Sequence, residues 1–218
     1  MTKLNDKQRA VEILSRLKKK YPGVETALDY QTPFQLLIST ILSAQCTDKR
    51  VNEVTKSLFK KYIRAEDYLQ VSNRELEKDI FSTGFYRQKA KSIKACCSLL
   101  LEKYNGEVPG NFDELTKLPG VGRKTASVVA GNAFGIPALA VDTHVTRLSN
   151  IFGFIKTRNP EMIEKRLKEL FPEKDWVESS HLLATHGRNV CIARRPKCLE
   201  CFLSDICPGF KSIKINKR

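Results

Sequence analysis

The chain has 218 residues and carries 38 Lys plus Arg against 24 Asp plus Glu, a formal net charge of +14. That length buries a sizeable core without disulfides or metals as staples, and the positive surplus points to a polyanionic partner, either nucleic acid or an acidic membrane surface. The first residues lack a secretory apolar core and no apolar run is long enough to span a bilayer, so the expectation is a soluble cytoplasmic protein, nucleoid-associated and prokaryotic-like, with no membrane partner.

In chain order, Asn5 followed by Gln8 is a capping-box pattern that opens a helix to about Lys20, with Val11, Leu14 and Leu17 as its apolar stripe. Thr32 and Pro33 supply an N-cap and a first-turn proline for "FQLLISTILSA", a stretch apolar on nearly all sides that belongs at the centre of the fold. Asp48 can cap a helix through Leu58, Ser72 with Glu75 makes a second capping box, and "STG" at 82–84 breaks the chain before a helix from about Tyr86 to Tyr104. Asn105 and Gly106 stop that helix. Asn111 with Glu114 starts a short helix ended by Pro119-Gly120, and Arg123 to Phe134 makes the next, with Gly135 as its terminal glycine. Val141–Phe152, Pro160–Phe171 and Val177–Gly187 read as three more. No stretch alternates with period two between turn signals, so the class is all-α. The chain shows no low-complexity segment, repeat or flexible linker, and its composition shifts only near Cys191.

Two segments carry chemistry. In "LPGVG", Pro119 pre-sets one turn position and Gly120 can take the positive φ of the next, so Leu118–Val121 closes as a type II turn. Gly122 then removes a side chain where the backbone passes close to something. Helix, tight hairpin and second helix offer outward amides that can hold a phosphate without reading a base, although a plain helix-to-helix turn has the same composition. Further on, Cys191, Cys198, Cys201 and Cys207 have the spacing C-x6-C-x2-C-x5-C, which suits tetrahedral zinc or a cubane iron–sulfur cluster and does not choose between them. Seven cysteines cannot all pair, and Cys46, Cys96 and Cys97 sit in apolar surroundings. Arg194, Arg195 and Lys197, in the short loop "IARRPK", can face consecutive phosphates; a solvated charge run is the plainer reading. His144 and His186 read as core or phosphate-contacting residues, with no metal spacing.

"LPGVGRKTASVV" resembles the helix-hairpin-helix of the endonuclease III family of DNA repair glycosylases, and "LLISTILSAQCTDKRVN", "GFYRQKAKSI", "NGEVP", "VDTHVTRL" and "HGRNVCIARRPKC" follow in the family's order along nearly the whole chain. The resemblance implies two helical domains: a central six-helix bundle at 26–136 with the hairpin, and a domain built from both chain ends, 1–25 and 137–218, that carries a [4Fe–4S] cluster on the four cysteines. It implies a bifunctional DNA glycosylase and AP (abasic-site) lyase in base excision repair, acting as a monomer on double-stranded DNA that holds an oxidised pyrimidine or an abasic site.

Lys124 matches the family's nucleophile, which attacks the sugar C1′, expels the base and forms a Schiff base before β-elimination. A partly desolvated amine at the positive end of a helix suits that role. Asp142 matches the aspartate that assists the lysine or stabilises the charge growing on the sugar, and by itself it reads as the N-cap of the helix from Thr143. Because a stacked base hides C1′, the nucleotide must flip out. The resemblance points to Gln45 in "SAQCTD" to fill the vacated space and to Phe85 in "GFYRQK" to wedge the stack, where some relatives have leucine. A monofunctional adenine or mismatch-thymine glycosylase, or a non-catalytic helix-hairpin-helix DNA-binding module, are the alternatives. Lys124 argues against the former, and the pairing of Lys124 with Asp142 against the latter.

Overall fold

The computed structural model describes residues 4–212; residues 1–3 and 213–218 of the expected domain ranges lie outside them. Among the described residues the regular elements are helical. The α-helices are α1 (Asp6–Lys20), α2 (Pro33–Leu42), α3 (Asp48–Lys61), α4 (Ala65–Gln70), α5 (Asn73–Asp79) and α6 (Tyr86–Tyr104). They continue with α7 (Phe112–Lys117), α8 (Arg123–Phe134), α9 (Thr143–Ile151), α10 (Pro160–Leu170), α11 (Trp176–Asn189) and α12 (Pro208–Ser212). The chain divides into two compact units, one spanning Thr26–Ile136 and the other built from residues up to Glu25 and from Pro137 onward.

In the Thr26–Ile136 unit, α2 is the central element. Thr32 Oγ1 accepts from Gln35 N at 3.2 Å, Pro33 fills the first turn, and every residue from Leu36 to Leu42 is buried. Each fully buried Leu or Ile there contributes about 1.5–3 kcal/mol. Helices α3, α6 and α8 pack on α2, while α4 and α5 lie against α6 and α7 lies against α8. Helix α3 is capped by Thr47 rather than by Asp48: the Thr47 hydroxyl accepts from Arg50 N at 3.3 Å, which makes Asp48 the first helical residue and favours its charge at the positive end. Helix α4, not expected from the sequence, is held by Asp67, whose carboxylate accepts from the amides of Ile63 at 2.7 Å and Arg64 at 2.8 Å.

The other unit packs α1 against α10 and α11, and α9 against α10 and α11. Its core joins Ile13 and Leu17 of α1 to Leu148, Phe152, Ile163, Leu167, Leu182 and Leu183. Asn5 and Gln8 form the expected reciprocal cap on α1. Helices α9 and α11 approach so closely that a Cβ on Gly187 would lie 2.9 Å from His144 Cβ. No helix among the described residues is long and apolar enough to cross a membrane.

Candidate functional site

The hairpin between α7 and α8 closes through Val121 N donating to Leu118 O at 3.0 Å, with Gly120 at φ +80°. Glycine at 120 is required twice. An L side chain is disfavoured at that φ, and a Cβ would lie 2.8 Å from Ser92 Cβ on α6. Gly122 differs from expectation. It is the N-cap of α8 with an extended backbone, and a Cβ there would meet nothing within 4 Å. No crowding inside the protein explains this glycine, and the space beside it is open to a body from outside.

Lys124 is the second residue of α8 and is exposed, with no ion pair or hydrogen bond among the described residues. The expected partial desolvation is absent in the free protein. Its reason is the face of α8: burial begins at Ala126 and continues to Gly131, and the first turn points outward. The neighbouring Arg123 guanidinium lies over the Phe112 ring, 5.2 Å from its centroid.

Three non-glycine residues among those described have positive φ: Gln45 at 53°, Phe85 at 48° and Asn105 at 53°. Asn105 is the ordinary left-handed end of α6, followed by Gly106. Gln45 lies beyond the α2 cap at Ser43 and Phe85 opens α6 rather than ending a helix; both are exposed, and Phe85 keeps 65% of its surface open to solvent. A left-handed non-glycine residue costs on the order of 1–3 kcal/mol and persists where the surroundings impose it. The two expected duplex-entering residues therefore stand in the hairpin's own unit as strained, solvent-facing side chains. Phe81, also exposed, packs on Tyr86, the residue after Phe85, with ring centroids 4.8 Å apart; that contact was not legible in the sequence.

Asp142 belongs to the other unit. Its Oδ1 accepts from Val145 N at 2.8 Å and caps α9, as its position before Thr143 suggested. The second oxygen has no hydrogen bond among the described residues. One turn on, Arg147 Nη2 lies 2.9 Å from Gly187 O and 2.8 Å from Cys191 O, tying the helix behind Asp142 to the first cysteine. His144 Nδ1 is 3.2 Å from Arg147 Nη2, and burial lowers its pKa.

Cys191, Cys198, Cys201 and Cys207 line one cavity together with Ile151, Phe152 and His186. Among the described residues no three His, Cys, Asp or Glu side chains converge as on a single ion; the four thiols share the lining of one space. Burial raises the pKa of all four, pushing Cys191 up to about 11. Thiolates at such positions need a metal's charge to compensate, and four soft donors around one apolar space fit an iron–sulfur cluster. His186 is buried, with Nε2 3.6 Å from Cys201 Sγ and Nδ1 3.3 Å from Tyr21 Oη. It is a core residue, one of the two readings the sequence offered, and it also forms a wall of this cavity, which the sequence did not show. Arg194, Arg195 and Lys197 are exposed, and no carboxylate pairs with them among the described residues. Lys197 N donates to Val190 O at 2.9 Å and closes their loop.

Comparison with known proteins agrees with this geometry. Residues 38–173 match the HhH-GPD superfamily of base excision DNA repair proteins, and residues 191–207 match the iron–sulfur binding domain of endonuclease III. The chain is 53% identical to endonuclease III of Synechocystis over 93% of each chain. It is 42% identical to the Escherichia coli K12 enzyme over 96% of this chain and 100% of that one. A non-covalent endonuclease III–DNA complex superposes with a TM-score of 0.93 at 46% identity, covering 96% of this chain and 98% of that chain. A trapped endonuclease III–DNA covalent intermediate gives the same TM-score and identity, covering 96% and 99%. A thermostable thymine-DNA glycosylase superposes with a TM-score of 0.84 at 26% identity, covering 95% and 97%. The chain belongs to the endonuclease III family, and it is a DNA glycosylase and AP lyase of base excision repair that carries a [4Fe–4S] cluster.

Proposed function

We propose that Lys124 is the nucleophile of this enzyme, that Asp142 assists it, and that the substrate is duplex DNA holding an oxidised pyrimidine or an abasic site. The unprotonated Nζ of Lys124 attacks C1′ of the extruded nucleotide, and the bond from C1′ to the base breaks. Opening of the sugar ring leaves a Schiff base between Nζ and C1′. Loss of a proton from C2′ sends its electron pair into a C2′–C3′ double bond, and the C3′–O bond to the 3′ phosphate breaks. Asp142, whose second carboxylate oxygen is not taken by the helix cap, either accepts the amine proton or faces the positive charge that grows on the sugar.

Extrusion falls to Gln45 and Phe85, Gln45 filling the vacated stack and Phe85 parting its neighbours. The amides behind Gly120 and Gly122 hold a phosphate, and Arg194, Arg195 and Lys197 neutralise others. Cys191, Cys198, Cys201 and Cys207 would hold the cluster, which when bound ties this segment into one shape and so presents its cations.

The observation that carries the reading is the placement of Lys124: an exposed amine in the first turn of α8, directly behind the hairpin, in the unit that also holds strained Gln45 and Phe85. Bound DNA supplies the desolvation the free protein lacks. The test is incubation with a thymine glycol duplex, with and without borohydride. The native chain should nick the strand and be trapped covalently, while Lys124→Gln should do neither. Trapping that persists in Lys124→Gln refutes the assignment. Base loss without trapping by the native chain indicates a monofunctional glycosylase.

A further inference from the structure

Lys89 is a charged side chain in an unexpected place. It lies in the first turns of α6 with only 5% of its surface exposed, and no carboxylate pairs with it among the described residues. Its ammonium makes two hydrogen bonds, to Leu42 O at 2.7 Å and to Thr83 O at 2.8 Å. Burying an ammonium is costly, and an apolar residue would pack there without that cost. What the charge supplies is a donor for two carbonyls that lie in different segments.

Both segments lead to a residue proposed to enter the duplex. Leu42 is the last residue of α2, at the negative end of its dipole, three positions before Gln45. Thr83, itself buried, precedes Gly84 at φ 70° and the left-handed Phe85. The backbone amide of Lys89 donates to Phe85 O at 3.0 Å. One residue thus grips the Phe85 turn on both sides and the root of the Gln45 turn. We propose that Lys89 is a positioning residue that holds Gln45 and Phe85 in the single arrangement needed to part the duplex. It touches neither DNA nor the reacting sugar. The proposal rests on the duplex-opening role given above to Gln45 and Phe85.

The test compares single-turnover base release from two duplexes, one with the lesion in an intact stack and one with the same lesion in a bulge that is already unstacked. Lys89→Met, folded and with its cluster absorbance intact, should lose on the order of tenfold to a hundredfold on the stacked lesion and stay within about twofold on the bulge. Added to Gln45→Ala/Phe85→Ala, it should cost no more than about twofold further, because residues acting through one another are not additive. Equal loss on both duplexes marks a merely structural residue and overturns the proposal, as does no loss on either. If Lys89→Met does not fold, Lys89→Gln, which can reach only one of the two carbonyls, is read in the same way. If Gln45→Ala/Phe85→Ala itself fails to distinguish the two duplexes, the duplex-opening reading falls and the proposal with it. Selective loss in that variant but not at Lys89 overturns Lys89 alone.

Discussion

Gly120 and Gly122 stand two residues apart and should fail in different ways. Gly120→Ala places a side chain at φ +80° and a Cβ 2.8 Å from Ser92 Cβ, an atom fixed to the α6 backbone that cannot rotate away. The left-handed backbone costs about 1–2 kcal/mol for an L residue, and forcing α6 from the hairpin costs about 1–3 kcal/mol more. The sum, about 2–5 kcal/mol, corresponds to a fall in Tm of roughly 10 °C for a chain of this size. Gly122→Ala meets nothing within 4 Å. Replacing an N-cap glycine by alanine costs at most about 1 kcal/mol, so that variant should stay folded and instead lose affinity for duplex DNA, because its methyl group occupies the space a phosphate would take. Urea unfolding of both variants, with DNA binding at fixed salt, separates the two effects. A Gly120→Ala variant within about 1 kcal/mol of the parent, or a Gly122→Ala variant that binds DNA undiminished, would refute the reasoning.

Further outcomes follow from the same geometry. Asp142→Asn retains an N-cap of equal quality, so stability should change by less than about 0.5 kcal/mol, while single-turnover base release slows at least tenfold if the carboxylate charge is what acts; an unchanged rate would dispose of its catalytic role. Arg194→Ala and Arg195→Ala should each lower the slope of log binding constant against log salt by about 0.9, and an unchanged slope would mean that neither meets a phosphate. Cys198→Ser should reduce both visible cluster absorbance and DNA affinity, and a variant with the full absorbance would exclude Cys198 as a ligand.

Much of the fold could be read from local chemistry. Asn5, Thr32, Ser72 and Asn111 announce their helices because each offers an oxygen to an amide two or three residues on, an interaction within reach of a short string of sequence. Gly120 and Gly135 are legible because glycine is the residue for positive φ. What escaped depended on competition or on distance. Thr47 and Asp48 are adjacent and equally able to cap, so only the course of the chain decides between them. Helix α4 buries little more than Ala65 and Tyr68 and is fixed by Asp67 reaching backward, which leaves almost no periodic signal. Lys89 looks like any other cation in "YRQKAKSI", and its burial follows from α2, distant in sequence, ending against it. Arg147 and His186 likewise gain their roles from Cys191 and Cys201, 44 and 15 residues away. For Lys124 the sequence suggested an amine already sheltered, whereas α8 turns its first residues outward.

The most direct measurement is the identity of the residue joined to DNA after borohydride reduction. Proteolysis of the trapped complex and mass spectrometry of the sugar-bearing peptide should place the new C–N bond on Nζ of Lys124, in the peptide that begins after Arg123. A deoxyribose remnant on any other lysine, or on the chain's amino terminus, would contradict the account.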